Sequence, residues 1–448
     1  MAKIPYVNLQ LGGVKTAARS SSGAITPRQW TWIAVLSAVG GFVVSWIIIH
    51  HGRFTVGQMM DTPIYAHYAG MMKRGLIPYR DFAEVYPPLA LPVFLLPGLF
   101  AGTSFASYTN LFQLMMMVFG MASVGLAAAV LVDQRPQLRR LIAGVALGAL
   151  MPVLMGSVIL SRYDLWPTLL TIAAVASIWL GSSRTGFAFL GLGFAAKAFP
   201  IVILPIAVIY VWRSESRRRA LECLGVFLIA VLAWFLPFVI ASPHGVWASI
   251  INQSGRPLQI ESLGATIWLF AHQVIGTHLH IYFTHGSDNL DGHPPMEFAS
   301  VMSVIQAAAI VGVWLAYAAG KATRERLVAA SAAAVCAFIV FDRVLSPQYL
   351  IWLVPLVMIV PGRRGLAAIG LLALAMALTQ VWFPQHFVQL KEFLPLESWA
   401  VIARDLVLVA LFGTLAWPDV LIWRAVGSAV TRLTALWKPA PVPRFDEA

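Results

Sequence analysis

Reactive side chains are scarce in this chain. Only 11% of its 448 residues are charged. Yet carboxylates, tyrosines, a histidine and arginines crowd into one stretch, from Asp61 through Tyr65, His67 and Tyr68 to Pro78-Tyr79-Arg80-Asp81-Phe82 and Glu84-Val85-Tyr86-Pro87-Pro88. Asp61 follows a long apolar segment and opens a helix-like run. A partly desolvated carboxylate in that position can take a proton from a hydroxyl as a general base; the alternative is a solvated loop residue. The tyrosines and prolines beyond it either wall a ligand pocket or form a rigid loop at the aromatic belt of a bilayer.

Cations recur further along. Arg162-Tyr163-Asp164 forms a tight turn between apolar segments, where Arg162 and Asp164 either make a local ion pair or face a pocket. In the second case the guanidinium suits a phosphate. Lys197 is the lone basic residue in an apolar run, and an ionisable group in a membrane is expensive enough to suggest a role. It either snorkels to headgroups or meets a lipid phosphate. The Gly191-Leu-Gly193 repeat before it has no strand context for dinucleotide binding, and close helix packing explains it better. Arg256, Gln259 and Glu261 lie together in a polar segment and are candidates for ligand contact. His272, His278, His280, His285 and His293 follow at spacings that fit no ordinary metal set. Finally, Arg343 precedes Ser346-Pro347-Gln348-Tyr349. Ser346 is placed as a helix N-cap with Pro347 in the first turn, and Arg343 beside that N-terminus makes a plausible outward phosphate site.

What positions these groups is a membrane. The chain is 59% hydrophobic with a mean hydropathy of +0.78, and its charge-free runs match the length that crosses a bilayer core of about 30 Å. The fold class expected is all-α, a polytopic transmembrane bundle of about 11 to 13 segments. A cytoplasmic tail at 1–28 leads into one transmembrane domain at 29–423, followed by a cytoplasmic tail at 424–448. The spans expected are 30–49, 106–132, 141–160, 165–182, 220–241, 300–320, 327–341, 349–361, 366–383 and 406–423. Residues 87–101 form a short, partly inserted segment. Residues 186–212 form a hairpin broken at Phe199-Pro200, because a single crossing would put the arginines from Arg213 to Arg219 outside. That hairpin places Lys197 nearer the cytoplasmic side. The outer loops are 50–86, with a surface helix from Gln58 to Lys73, and 242–298, with another at 263–276.

The net charge of +12 does not indicate nucleic acid. This topology puts most of the 31 basic residues on the cytoplasmic side, as the positive-inside rule requires, with anionic lipid contact as a possible addition. Cys223 and Cys336 both lie in apolar runs, which makes a disulfide framework unlikely and leaves too few for a thiolate metal site.

The ordered set of the Asp61 loop with Pro78-Tyr79 and Tyr86-Pro87-Pro88, Arg162-Tyr163-Asp164, Ala196-Lys197-Ala198-Phe199-Pro200, Arg256 to Ser262, and Leu345 to Trp352 resembles the actinobacterial polyprenol-phosphate-mannose-dependent α-1,2-mannosyltransferases of the GT-C superfamily. The resemblance implies a polyprenyl-phosphate sugar donor and a glycolipid or envelope-glycan acceptor. It implies work on the extracytoplasmic face of the cell membrane, inversion at the anomeric carbon, and neither metal nor cofactor. By position Asp61 corresponds to the base, and Arg162, Lys197, Arg256 and Arg343 are the cations for the donor phosphate. Some relatives carry Gly-Gln where this chain has Tyr163-Asp164, which leaves the sugar open between mannose and arabinofuranose. A lipid-linked-sugar flippase is the competing class; its polar sites sit near the midplane, whereas these cluster at one outer face. A non-catalytic scaffold of an envelope-synthesis complex is the third.

Overall fold

The computed structural model describes residues 26–417. Among them are 18 α-helices and a single two-stranded hairpin. Seven helices are long and apolar enough to cross a membrane: Pro27–Ile48, Phe105–Asp133, Leu138–Met155, Arg217–Ala241, His293–Ala319, Gly362–Trp382 and Pro395–Ala416. Shorter apolar helices fill the spaces between them. A membrane forces this choice, because a helix satisfies its own backbone donors and acceptors where no water can. This is an all-α polytopic membrane protein. The tails expected at 1–28 and 424–448 lie outside the described residues, except for 26–28. There Thr26 and Gln29 exchange side-chain and backbone hydrogen bonds as a capping box, and Pro27 begins the first helix.

The broken hairpin is present. The Ser183–Ala196 helix runs inward, the chain becomes extended at Lys197, and Phe199–Ile203 with Leu204–Ser214 return it. Both ends meet: the Ser183 hydroxyl donates to Glu215, and Arg184 pairs with Glu222 at the start of the next helix. The first arm's 14 residues span about 21 Å at about 1.5 Å per residue, most of the bilayer core. Lys197 is therefore carried to the far end of the bundle, not held near the basic end as the sequence suggested. Gly191 makes the arm possible. A Cβ there would sit 2.7 Å from the Phe227 carbonyl and 2.9 Å from the Ala230 Cβ, so only glycine lets the two helices approach this closely.

Several boundaries differ from expectation. The surface helix covers Thr62–Lys73 and not Gln58 onward, because Pro63 suits its first turn. The segment expected at 141–160 breaks after Met155 at Gly156, whose φ of +63° disfavours other residues. Residues 418–423 of the expected final span lie outside the described residues, and the last described span, Pro395–Ala416, begins well before the expected 406. Its early turns bury Glu397, Arg404 and Asp405, charges that mislead a hydropathy reading. The structure accommodates Arg404 and Asp405 by contact: Arg404 Nε lies 2.7 Å from Asp405 Oδ1, Arg404 Nη2 donates to the Glu261 carbonyl at 2.6 Å, and the Thr266 hydroxyl donates to Asp405 Oδ2 at 2.6 Å. The loop at 242–298 also contains an unexpected β-hairpin, Ile281–Thr284 with Ser287–Leu290, turned through His285 and Gly286, both at positive φ.

Candidate active site

The end of the bundle opposite its arginine-rich turns gathers most of the candidate residues. Asp61 stands just before the Thr62–Lys73 helix. Its carbonyl accepts from the Ile64 and Tyr65 amides at 2.9 and 3.2 Å, but its carboxylate makes no cap bond. The carboxylate turns instead to Arg162 and forms an ion pair, with the Tyr65 hydroxyl at 3.4 Å. Arg162 thus ignores its near neighbour Asp164, and the local pair considered from the sequence does not form. Its Nε is buried without a partner.

Asp164 serves Lys197. Its Oδ1 accepts from Lys197 Nζ and from the indole N–H of Trp352, each at 2.6 Å. Lys197 Nζ is also ringed by aromatics, at 4.8 Å from the Tyr163 ring, 4.9 Å from Trp352 and 5.4 Å from Tyr349. Such faces attract a cation, more so where water is excluded. Arg162 lies within electrostatic reach of Asp164, Glu261 and Tyr349. Arg256 acts on both Tyr349 and Lys197. Three cations from three distant parts of the chain therefore lie in the neighbourhood of Tyr349.

The model of glycosyltransferase family 87 matches residues 85–347, more than half of the chain. The chain belongs to glycosyltransferase family 87. No curated protein matches it. The matched stretch of this family 87 chain holds Arg162, Lys197, Arg256 and Arg343, while Asp61 precedes it. The protein is thus a membrane glycosyltransferase.

The remaining candidates of the family 87 chain divide into supports and outliers. Gln259 donates to Glu261 Oε2 at 2.5 Å and to Ser346 Oγ at 3.5 Å, and its amide donates to the Arg343 carbonyl. Burial pushes the Glu261 carboxyl up to about 8, with Arg404 and Arg162 pulling the other way. Arg343 is committed to protein partners, donating to Ser303 Oγ and to the Arg256 carbonyl. It fastens the Arg256 loop, where the sequence suggested a phosphate site shared with the helix N-terminus. Ser346 precedes that helix and Pro347 starts it, but the Ser346 side chain makes no cap bond. Gln348 is half-buried on the same turn.

In the first loop, Glu84 Oε1 accepts the Val85 and Tyr86 amides at 2.9 Å while burial raises its carboxyl to about 8. Tyr79 donates to the Tyr86 carbonyl. Tyr65, Tyr86, Phe94 and Tyr163 pack their rings into one cluster behind Asp61. These tyrosines stiffen the loop behind Asp61. Arg80 pairs with Asp81 at 2.9 Å and is half exposed, and Asp81 also accepts from the Ile77 amide at 2.7 Å; His67 is exposed. Neither group joins the site. Among the histidines expected to bind no metal, His272 Nδ1 meets the Thr277 carbonyl and His285 Nδ1 meets the Thr284 hydroxyl. The contact of Trp352 with Asp164 is not foreseen from the sequence, where Trp352 stands only as the end of the Leu345 to Trp352 motif.

Proposed function

We propose that this glycosyltransferase moves a sugar, mannose, from a polyprenyl-phosphate donor to a glycolipid or envelope-glycan hydroxyl on the extracytoplasmic face of the cell membrane. The observation that carries this reading is the Asp61 carboxylate paired with Arg162, with Lys197 and Arg256 within electrostatic reach of each other and Arg162 within reach of Lys197. A carboxylate suits proton removal from an acceptor, and clustered cations suit a phosphate leaving group. A donor held by a lipid tail arrives laterally in the bilayer and needs no soluble nucleotide-binding domain. Mannose rests on the ordered motifs, and the outer location rests on assigning the arginine-rich ends to the cytoplasm.

In this mechanism Asp61 takes the acceptor hydroxyl proton. The oxygen lone pair forms a bond to the anomeric carbon from the face opposite the phosphate, which inverts the configuration. The carbon–phosphate oxygen bond breaks with its electron pair, and polyprenyl phosphate leaves. Charge grows on the phosphate as that bond lengthens, so fixed cations bind the transition state better than the ground state. Neither metal nor cofactor is required by these steps.

The test is transfer in proteoliposomes from polyprenyl-phosphate mannose to a lipid-linked mannoside, with the arabinofuranosyl donor as competitor. New glycosidic product from the mannosyl donor is expected. Movement of intact donor across the bilayer without bond formation would instead identify a flippase.

A further inference from the structure

Asp61 and Arg162, the base and the phosphate ligand of the proposed reaction, form an ion pair with each other. A carboxylate held by a guanidinium is a poor base, and a guanidinium held by a carboxylate is a poor anion site. Both roles cannot be filled while the pair persists. The second pair nearby is built differently. Asp164 has only 2% of its side chain exposed, accepts from two donors, and its lysine is caged by three rings. Asp61 has 23% of its side chain exposed, one ionic partner and a long contact to Tyr65, and caps no helix. Arg162 also keeps a buried Nε without a partner, with Glu261 and Asp164 close enough to steady its charge.

We propose that the donor phosphate replaces Asp61 on Arg162, so that donor binding itself releases the base. This rests on the transferase reading and adds to it an order of events. The phosphodiester of the donor carries one negative charge, as Asp61 does, so the exchange is nearly even in charge. Arg162 passes from carboxylate to phosphate while the Lys197–Asp164 pair stays in place. Asp61, freed, turns to the acceptor hydroxyl. When the anomeric bond breaks, the leaving phosphate monoester gains charge and holds Arg162 more strongly. Departure of polyprenyl phosphate lets the pair re-form. A site without donor therefore has a masked base and does not activate water.

The consequence separates this from any account in which Asp61 is only a base. Replacing Asp61 removes the competitor for Arg162, so Asp61→Asn should bind polyprenyl phosphate more tightly although it cannot catalyse. The measurement is equilibrium binding of a fluorescent polyprenyl phosphate to full-length protein in nanodiscs, for wild type, Asp61→Asn and Asp61→Ala, each checked for folding by thermal unfolding. We expect Kd to fall on the order of tenfold in both variants, and Arg162→Gln to lose that gain when combined with Asp61→Asn. Equal or weaker binding by both Asp61 variants overturns the exchange while leaving the transferase reading intact. Wild type that does not bind polyprenyl phosphate overturns both.

Discussion

Replacing Asp164 with Asn tests the fixed half of the site. In wild type one carboxylate oxygen, in a residue 1% exposed, accepts from both Lys197 and Trp352 at 2.6 Å. Asn keeps an acceptor for the indole, so a hydrogen bond worth about 1 kcal/mol survives. It loses the charge that balances Lys197, and breaking a buried pair from one side costs about 3–5 kcal/mol. The three rings around Lys197 are present in both proteins and cancel from the difference. We therefore expect Asp164→Asn to destabilise the protein by about 3–5 kcal/mol. Lys197→Met should cost a similar amount by stranding Asp164. The double variant strands neither charge and should cost less than either single change. The assay is unfolding in a mixed detergent micelle for the four proteins of the cycle, a stability readout that does not depend on catalysis. Simple addition of the two single costs would refute the coupling derived from the structure.

Three further outcomes follow from the geometry. Glu84 and Glu261 have carboxyls raised to about 8 by burial, so the folded state holds protons that the unfolded state releases above about 4.3. Stability should fall as pH rises from about 5 to 8, by a few kcal/mol at most, and Glu261→Gln should flatten that slope in a pH series of melting curves. Gly191→Leu should force the hairpin from the Arg217–Ala241 helix, whose Phe227 carbonyl lies 2.7 Å from the new Cβ position. Transfer should drop with Lys197 displaced, and wild-type stability and rate would contradict the packing. Arg343→Ala removes the bonds to Ser303 and the Arg256 carbonyl, so donor KM should rise more than kcat falls. An unchanged KM would mean that the Arg256 loop holds itself.

The sequence carried the membrane class, the hairpin and most spans because hydropathy and basic flanks are local signals. Arg213 to Arg219 could not lie outside without breaking the charge bias, and that alone turned the chain back at Phe199-Pro200. The last span was displaced because Glu397, Arg404 and Asp405 look unburiable until Thr266 and Glu261 are seen beside Arg404 and Asp405. The site was legible as residue types and not as pairings. Arg162 stands two residues from Asp164 yet bonds to Asp61, while Asp164 bonds to Lys197 across the hairpin. Such choices depend on where a chain break places a charge, and no local pattern reports that. Arg80, Asp81 and His67 had the composition of site residues, but Arg80 and Asp81 pair with each other and His67 is exposed.

The most direct measurement is single-turnover transfer from polyprenyl-phosphate mannose by Asp61→Asn protein saturated with donor and acceptor. We expect the chemical step to slow by at least about 10²-fold relative to wild type, the usual contribution of a positioned general base. Transfer at the wild-type rate would contradict Asp61 as the group that takes the acceptor's proton.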